Sequence, residues 1–116
     1  KSFLADLSRQ KLVEAAAIYG KTSRIPTLWI YAANDRNRMP TQIAAMREAF
    51  EKAGGKAELL LLPAFGSDGH DTISRREIVT QWFPRVYTFL KDIEKEVKRN
   101  APMAETTTSP ANTLAR

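Results

Sequence analysis

A single histidine stands in this chain, His70, inside the run PAFGSDGHDT (residues 63–72), directly after Leu59-Leu60-Leu61-Leu62. An imidazole can take and return a proton near neutrality, so a histidine hung on small residues beyond an apolar stretch is a candidate general base. Such a base needs a second group that holds its tautomer and stabilises the imidazolium once a proton is taken. Asp35, just past the apolar run in WIYAAND, is of the right type. Taken singly, each residue has a plainer reading: a solvated loop histidine, and an aspartate that caps a turn. The flanking Asp68 and Asp71 carry two readings as well. Close and ionised, either would favour the imidazolium; otherwise they hold the loop through bonds from side chain to backbone.

Whether Asp35 and His70 can meet depends on the elements that carry them. Leu4, Leu7, Leu12, Ala15 and Ile18 recur at helical spacing, which predicts a helix over 3–19 that ends near Gly20. After the polar KTSRIP comes TLWIYAA, β-branched, aromatic and apolar almost throughout, as in a strand covered on both faces of a parallel sheet. Pro40 suits the first position of a helix; Ile43, Met46, Phe50 and Ala53 share a face, and Gly54-Gly55 stop it. KAELLLLP reads as a second buried strand, closed by Pro63. Strand, helix and strand follow one another over about 38 residues, a βαβ unit with a right-handed crossover. Parallel neighbours would set the Asp35 and His70 loops side by side at the C-terminal ends of the strands, where open α/β sheets bind ligands.

Downstream, Ser74 and Glu77 have capping-box spacing, and Pro84 predicts a short helix broken near Trp82-Phe83 before a final helix begun by the proline. Val86, Phe89, Leu90, Ile93 and Val97 give that helix an apolar stripe. Residues 1–99 therefore read as one folded unit, and 100–116, rich in Thr, Ser, Ala and Pro without periodicity, as a disordered tail. Two apolar parallel strands leave both sheet edges open and do not make a complete domain. The fold class is α/β, and the unit is incomplete without an N-terminal portion.

The segments IPTLWIYAANDRNRMP, AFEKAGGKAELLLLPAFGSDGHD and QWFPRVYTFL, in that order, resemble the C-terminal third of an α/β-hydrolase of the dienelactone-hydrolase-like type. The resemblance covers about residues 20 to 92. It implies the three-layer α/β-hydrolase fold, with parallel strands between covering helices. It also implies a serine hydrolase acting on an ester, lactone or peptide-like acyl bond, with Asp35 as triad acid and His70 as triad base.

The departure is the nucleophile. In that family it precedes the acid, on a Gly-x-Ser-x-Gly turn. Only Ser2, Ser8 and Ser23 lie upstream of Asp35, and none has glycines at that spacing. FGSDG around Ser67 places Phe65 where a glycine is needed, follows the wrong strand and lies three residues before the base. The oxyanion-hole amides are missing with the nucleophile. The expectation is a C-terminal part that supplies acid and base only, with an N-terminal portion of the same hydrolase, separate or cleaved, as its partner. A small-molecule acyl compound is the substrate. No metal or organic cofactor is implied, since one histidine and no cysteine make no zinc ligand set. Trp29, Tyr31, Phe65 and Trp82 could line an acyl pocket. Periodicity puts Trp29 and Trp82 in the core, which leaves Phe65, in the base loop, as the substrate-binding candidate. The first helix reads as a covering helix on the sheet, or else a piece of a lid.

Composition limits the alternatives. At 43% hydrophobic and 27% charged residues, the chain is ordinary for a globular protein, and no apolar run approaches the roughly 20 residues of a membrane helix. KSFLADLSRQ lacks the apolar core of a signal peptide, and a first residue Lys is what processing, cleavage or a fragment would leave. The absence of cysteine excludes disulfides and thiol chemistry and leaves the compartment open. The net charge of +5 is concentrated at the N-terminal end, where Lys1, Arg9, Lys11, Lys21 and Arg24 outnumber Asp6 and Glu14. No basic stripe interleaves with aromatics, so nucleic acid is not an expected partner. Two other classes stand beside the hydrolase reading. One is a non-catalytic binding or scaffold module of hydrolase-like shape. The other is a flavodoxin- or receiver-type domain, which needs about five strands and a phosphate loop or acidic cluster that the sequence lacks.

Overall fold

The computed structural model describes residues 2–101. Apart from Asn100 and Ala101, the tail expected to be disordered lies outside the described residues. The chain is mixed α/β: helix α1 (Phe3–Thr22), strand β1 (Pro26–Ala32), helix α2 (Pro40–Lys52), strand β2 (Lys56–Leu62) and helix α3 (Val79–Arg99), with 3₁₀ turns at Gly69–Ser74 and Arg76–Ile78 before the last helix. The two strands pair in parallel from Pro26↔Lys56 to Ala32↔Leu62, and α2 makes the crossover between them.

Alternation along β2 assigns the faces. Ala57 turns into a buried cluster with Phe50 of α2 and Ala16 of α1, against which Trp29 and Met46 pack. The Trp29 and Phe50 rings meet edge to face at 5.4 Å. Glu58, one residue on, points the opposite way and pairs with Arg85 of α3. Helices α2 and α3 therefore lie on opposite faces of the sheet.

Four sequence expectations change in the structure. First, α1 does not end at Gly20 but runs on to Thr22. Gly20 is buried where a Cβ would stand 2.3 Å from the Phe50 carbonyl oxygen and 3.0 Å from the Ala53 Cβ. The glycine is there to let two helix backbones touch, and α1 accordingly packs along α2 rather than across the strands. Second, the Ser74–Glu77 capping box does not form. The Ser74 hydroxyl donates to the Asp71 carbonyl at 2.8 Å, and 3₁₀ turns carry the chain to Val79.

Third, α3 passes unbroken through Pro84. The proline sits in the second turn, so only the Thr80 carbonyl loses its helical partner. The stacked edges of Trp82, Phe83 and Tyr87 run across the same point. Fourth, the strands are not sealed on both faces. Along β1 only Ala32 is buried, Leu61 of β2 is 45% exposed, and α3 has no fully buried residue, its stripe ending in Val97 at 64%. Burial needs a second apolar surface, and two strands with three helices supply only part of one. Among the described residues no helix is long and apolar enough to cross a membrane.

Candidate functional site

Parallel pairing brings both strand ends to one side of the sheet, and the Ala33 N–H still donates to the Leu62 carbonyl at 2.8 Å as the loops diverge. Asp35 follows in a tight turn, its own N–H donating to the Ala32 carbonyl. Its Oδ1 accepts the backbone N–H groups of Asn37 at 2.8 Å and Arg38 at 2.9 Å, and the residue is only 3% exposed. The carboxylate is thus fixed by its own loop.

His70, the second residue of the 3₁₀ turn after β2, places Nδ1 3.2 Å from both Asp35 oxygens. With its proton on Nδ1, the ring donates to the carboxylate and leaves Nε2 as the proton acceptor. The ring is 48% exposed while the Asp35 side chain beneath it is 4% exposed. A buried acid under a half-open imidazole can orient a base and stabilise its imidazolium while the outer ring nitrogen exchanges protons.

Three residues between these loops went unrecognised in the sequence, or were recognised in part. The Asn34 amide nitrogen donates to the Phe65 carbonyl at 3.0 Å and the Gly66 carbonyl at 3.1 Å, and its Oδ1 accepts the Phe65 N–H at 2.9 Å. Gly69 is buried against it and donates its N–H to the Asn34 carbonyl. Asp68 Oδ1 accepts two amides at 3.0 Å each, those of Arg36 and His70. The Arg36 N–H first, then that of His70, holds the Asp68 carboxyl below its ordinary value near 3.8. Of the two sequence readings for Asp68, the loop-holding one therefore describes its bonds. An Asn at a strand end opposite a glycine-bearing loop was the available signal for Asn34, since one amide can satisfy both a donor and acceptors of a passing backbone.

The structure separates the aromatic candidates. Trp29 and Tyr31 line an open apolar groove of about 450 Å³ between α1 and the outer edge of β1. Phe65 is not among its lining residues. It lies half-buried in the base loop, with the Arg75 guanidinium carbon 5.7 Å from its ring centre. Trp82 is half-buried on α3, its indole N–H enclosed without a hydrogen-bond partner. Ser67 and Asp71 are exposed in the base loop. Among the described residues, no three His, Asp or Glu side chains gather where they could hold a metal ion. The geometry provides one carboxylate and one imidazole in contact, held on one side of the two parallel strands. No protein-family model, no curated protein and no solved structure matches this chain.

Proposed function

We propose that this chain is the C-terminal part of a serine hydrolase of α/β-hydrolase architecture, similar to dienelactone-hydrolase-like enzymes, in which Asp35 is the acid and His70 the base of a Ser-Asp-His triad. The observation that carries the reading is the Asp35 carboxylate 3.2 Å from Nδ1 of His70, each residue in the segment that follows the C-terminal end of one of two parallel strands. The order of strand, acid, helix, strand and base supports it, as does the apolar groove along the unpaired edge of β1. A further strand placed there would close off the groove lined by Leu28, Trp29 and Tyr31.

In the completed enzyme Nε2 of His70 takes the serine proton as the oxygen attacks the acyl carbon. It returns that proton to the leaving group, and an acyl-enzyme remains. Water then attacks the acyl carbon, again giving its proton to His70, which passes it to the departing serine oxygen. Phe65, in the base loop, is the proposed contact to a small-molecule acyl substrate.

Intact-mass analysis of what co-purifies with the chain, combined with fluorophosphonate labelling, tests the proposal. A stoichiometric companion that bears Gly-x-Ser-x-Gly and takes the label is expected. Asp35→Asn should then slow turnover by about 10³–10⁴-fold, the order of losing the tautomer-holding acid. A folded chain that purifies alone and stays unlabelled refutes the hydrolase reading and leaves a binding or scaffold role.

A further inference from the structure

Asp35 and His70 are 35 residues apart in sequence. Strand pairing brings their loops to one side of the sheet, but it stops at Ala32↔Leu62, short of both residues. A contact of 3.2 Å between side chains on two loops needs a tie beyond the ladder, and the Oδ1 atom of Asp68 has the geometry to be one. It accepts the N–H of Arg36, the residue directly after the acid, and the N–H of His70, the base itself. A single acceptor thus touches the backbone of both halves of the pair.

Resting on the acid–base reading above, we propose that Asp68 is a positioning residue: its carboxylate oxygen, bridging the Arg36 and His70 amides, holds Nδ1 of the imidazole on the Asp35 carboxylate. The side chain suits the task. A carboxylate oxygen has lone pairs for two donors, and bonds to an ionised acceptor are the stronger kind. Asn34 ties the same two loops through Phe65 and Gly66 and, by its carbonyl, through the N–H of Gly69. Asp68 is the tie that includes His70. The lesser role would have Asp68 merely cap the 3₁₀ turn that begins at Gly69. Only the bond to Arg36 distinguishes the two.

Because His70 is the only histidine, chain labelled with ¹⁵N-histidine reports its ring alone, with any completing portion supplied unlabelled. The readout is the ratio of Nδ1–H to Nε2–H tautomers in the neutral ring. Asp68→Ala removes both bonds. Asp68→Ser keeps a cap for His70, but its oxygen stands one bond closer to its own backbone and does not reach Arg36. Asp68→Asn keeps the bridging oxygen without the charge. The expected result is a fall in the ratio of about tenfold for the Ala and Ser variants, the consequence of releasing one charge-assisted hydrogen bond, with the Asn variant within about twofold of the parent.

A wild-type ratio in Asp68→Ser means capping alone suffices, and the proposal fails. Equal losses in Asp68→Asn and Asp68→Ala mean that charge and not the bridge matters, which also overturns it. If Asp68→Ala loses its cooperative melt, the Ser variant decides; if both unfold, the residue serves folding and the positioning role falls. The measurement needs neither nucleophile nor substrate. A tautomer shift in a chain that purifies alone, with no companion that takes the fluorophosphonate, would sink the hydrolase reading and leave the positioning role standing.

Discussion

Gly69→Ala drives a methyl group between the two loops that carry Asp35 and His70. A Cβ on Gly69 would lie 2.3 Å from Asn34 Oδ1 and 2.4 Å from the Ala32 Cβ, where ordinary contacts begin at 3.4 Å. Ala32 is 1% exposed at the end of β1, so it yields only if the strand moves. The Asn34 amide can swing aside, but it then gives up three hydrogen bonds to Phe65 and Gly66. The two responses are alternatives: giving up those bonds costs about 1 kcal/mol each, and overpacking that keeps them costs ~1–3 kcal/mol. Against this, alanine reduces the freedom of the unfolded chain by ~0.4–1 kcal/mol. The net expectation is a loss of roughly 2 kcal/mol together with separation of His70 from Asp35. Urea unfolding followed by tryptophan fluorescence measures the first, and the ¹⁵N spectrum of His70 the second. Ser67→Ala, exposed in the same loop, is the control and should stay within ~0.5 kcal/mol. A Gly69→Ala protein as stable as that control, with an unchanged His70 ring, would refute the close-packed picture of the two loops.

Two further outcomes follow from the same contacts. Gly20→Ala should lower thermal stability by roughly 2 kcal/mol although alanine is the better helix former by ~1 kcal/mol, because its methyl would meet the Phe50 carbonyl oxygen at 2.3 Å; a rise in melting temperature would show that α1 and α2 are not in backbone contact. Asp68, its carboxyl held down by the Arg36 and His70 amides, adds stability that is present above its ordinary value near 3.8 and is lost as pH falls through its lower folded-state value. The stability difference between the parent and Asp68→Asn should therefore narrow as pH falls below about 4 and hold steady above about 5. A difference that widens in acid contradicts the sign.

Much of the acid–base pair could be read from sequence because it depends on local pattern. Apolar runs bounded by Pro26, Pro40, Gly54 and Pro63 mark the strands and the crossover helix. Residues just past two parallel strand ends must then share one side of a sheet. Position on the chain is enough for that step, and Asp35 and His70 meet as it requires. Pro84 misled for a related reason. A proline's missing N–H is a local fact, but whether a helix survives it depends on how near its start the proline falls and on what packs beside it, here Trp82, Phe83 and Tyr87.

By itself the sequence determined the alternation of helix and strand, the parallel pairing, and the two titratable groups placed at one end of it. These rest on periodicity and on the backbone limits of proline and glycine, which act over a few residues. Only the tertiary structure decided what fixes that pair at 3.2 Å: the Asn34 amide, the Asp68 oxygen and the side-chain-free surface of Gly69. It also decided that Gly20 serves a helix crossing and that the strands stay half-covered. The contacts among these join segments some thirty residues apart, and composition is blind to which backbone a side chain will meet once the chain has turned back on itself.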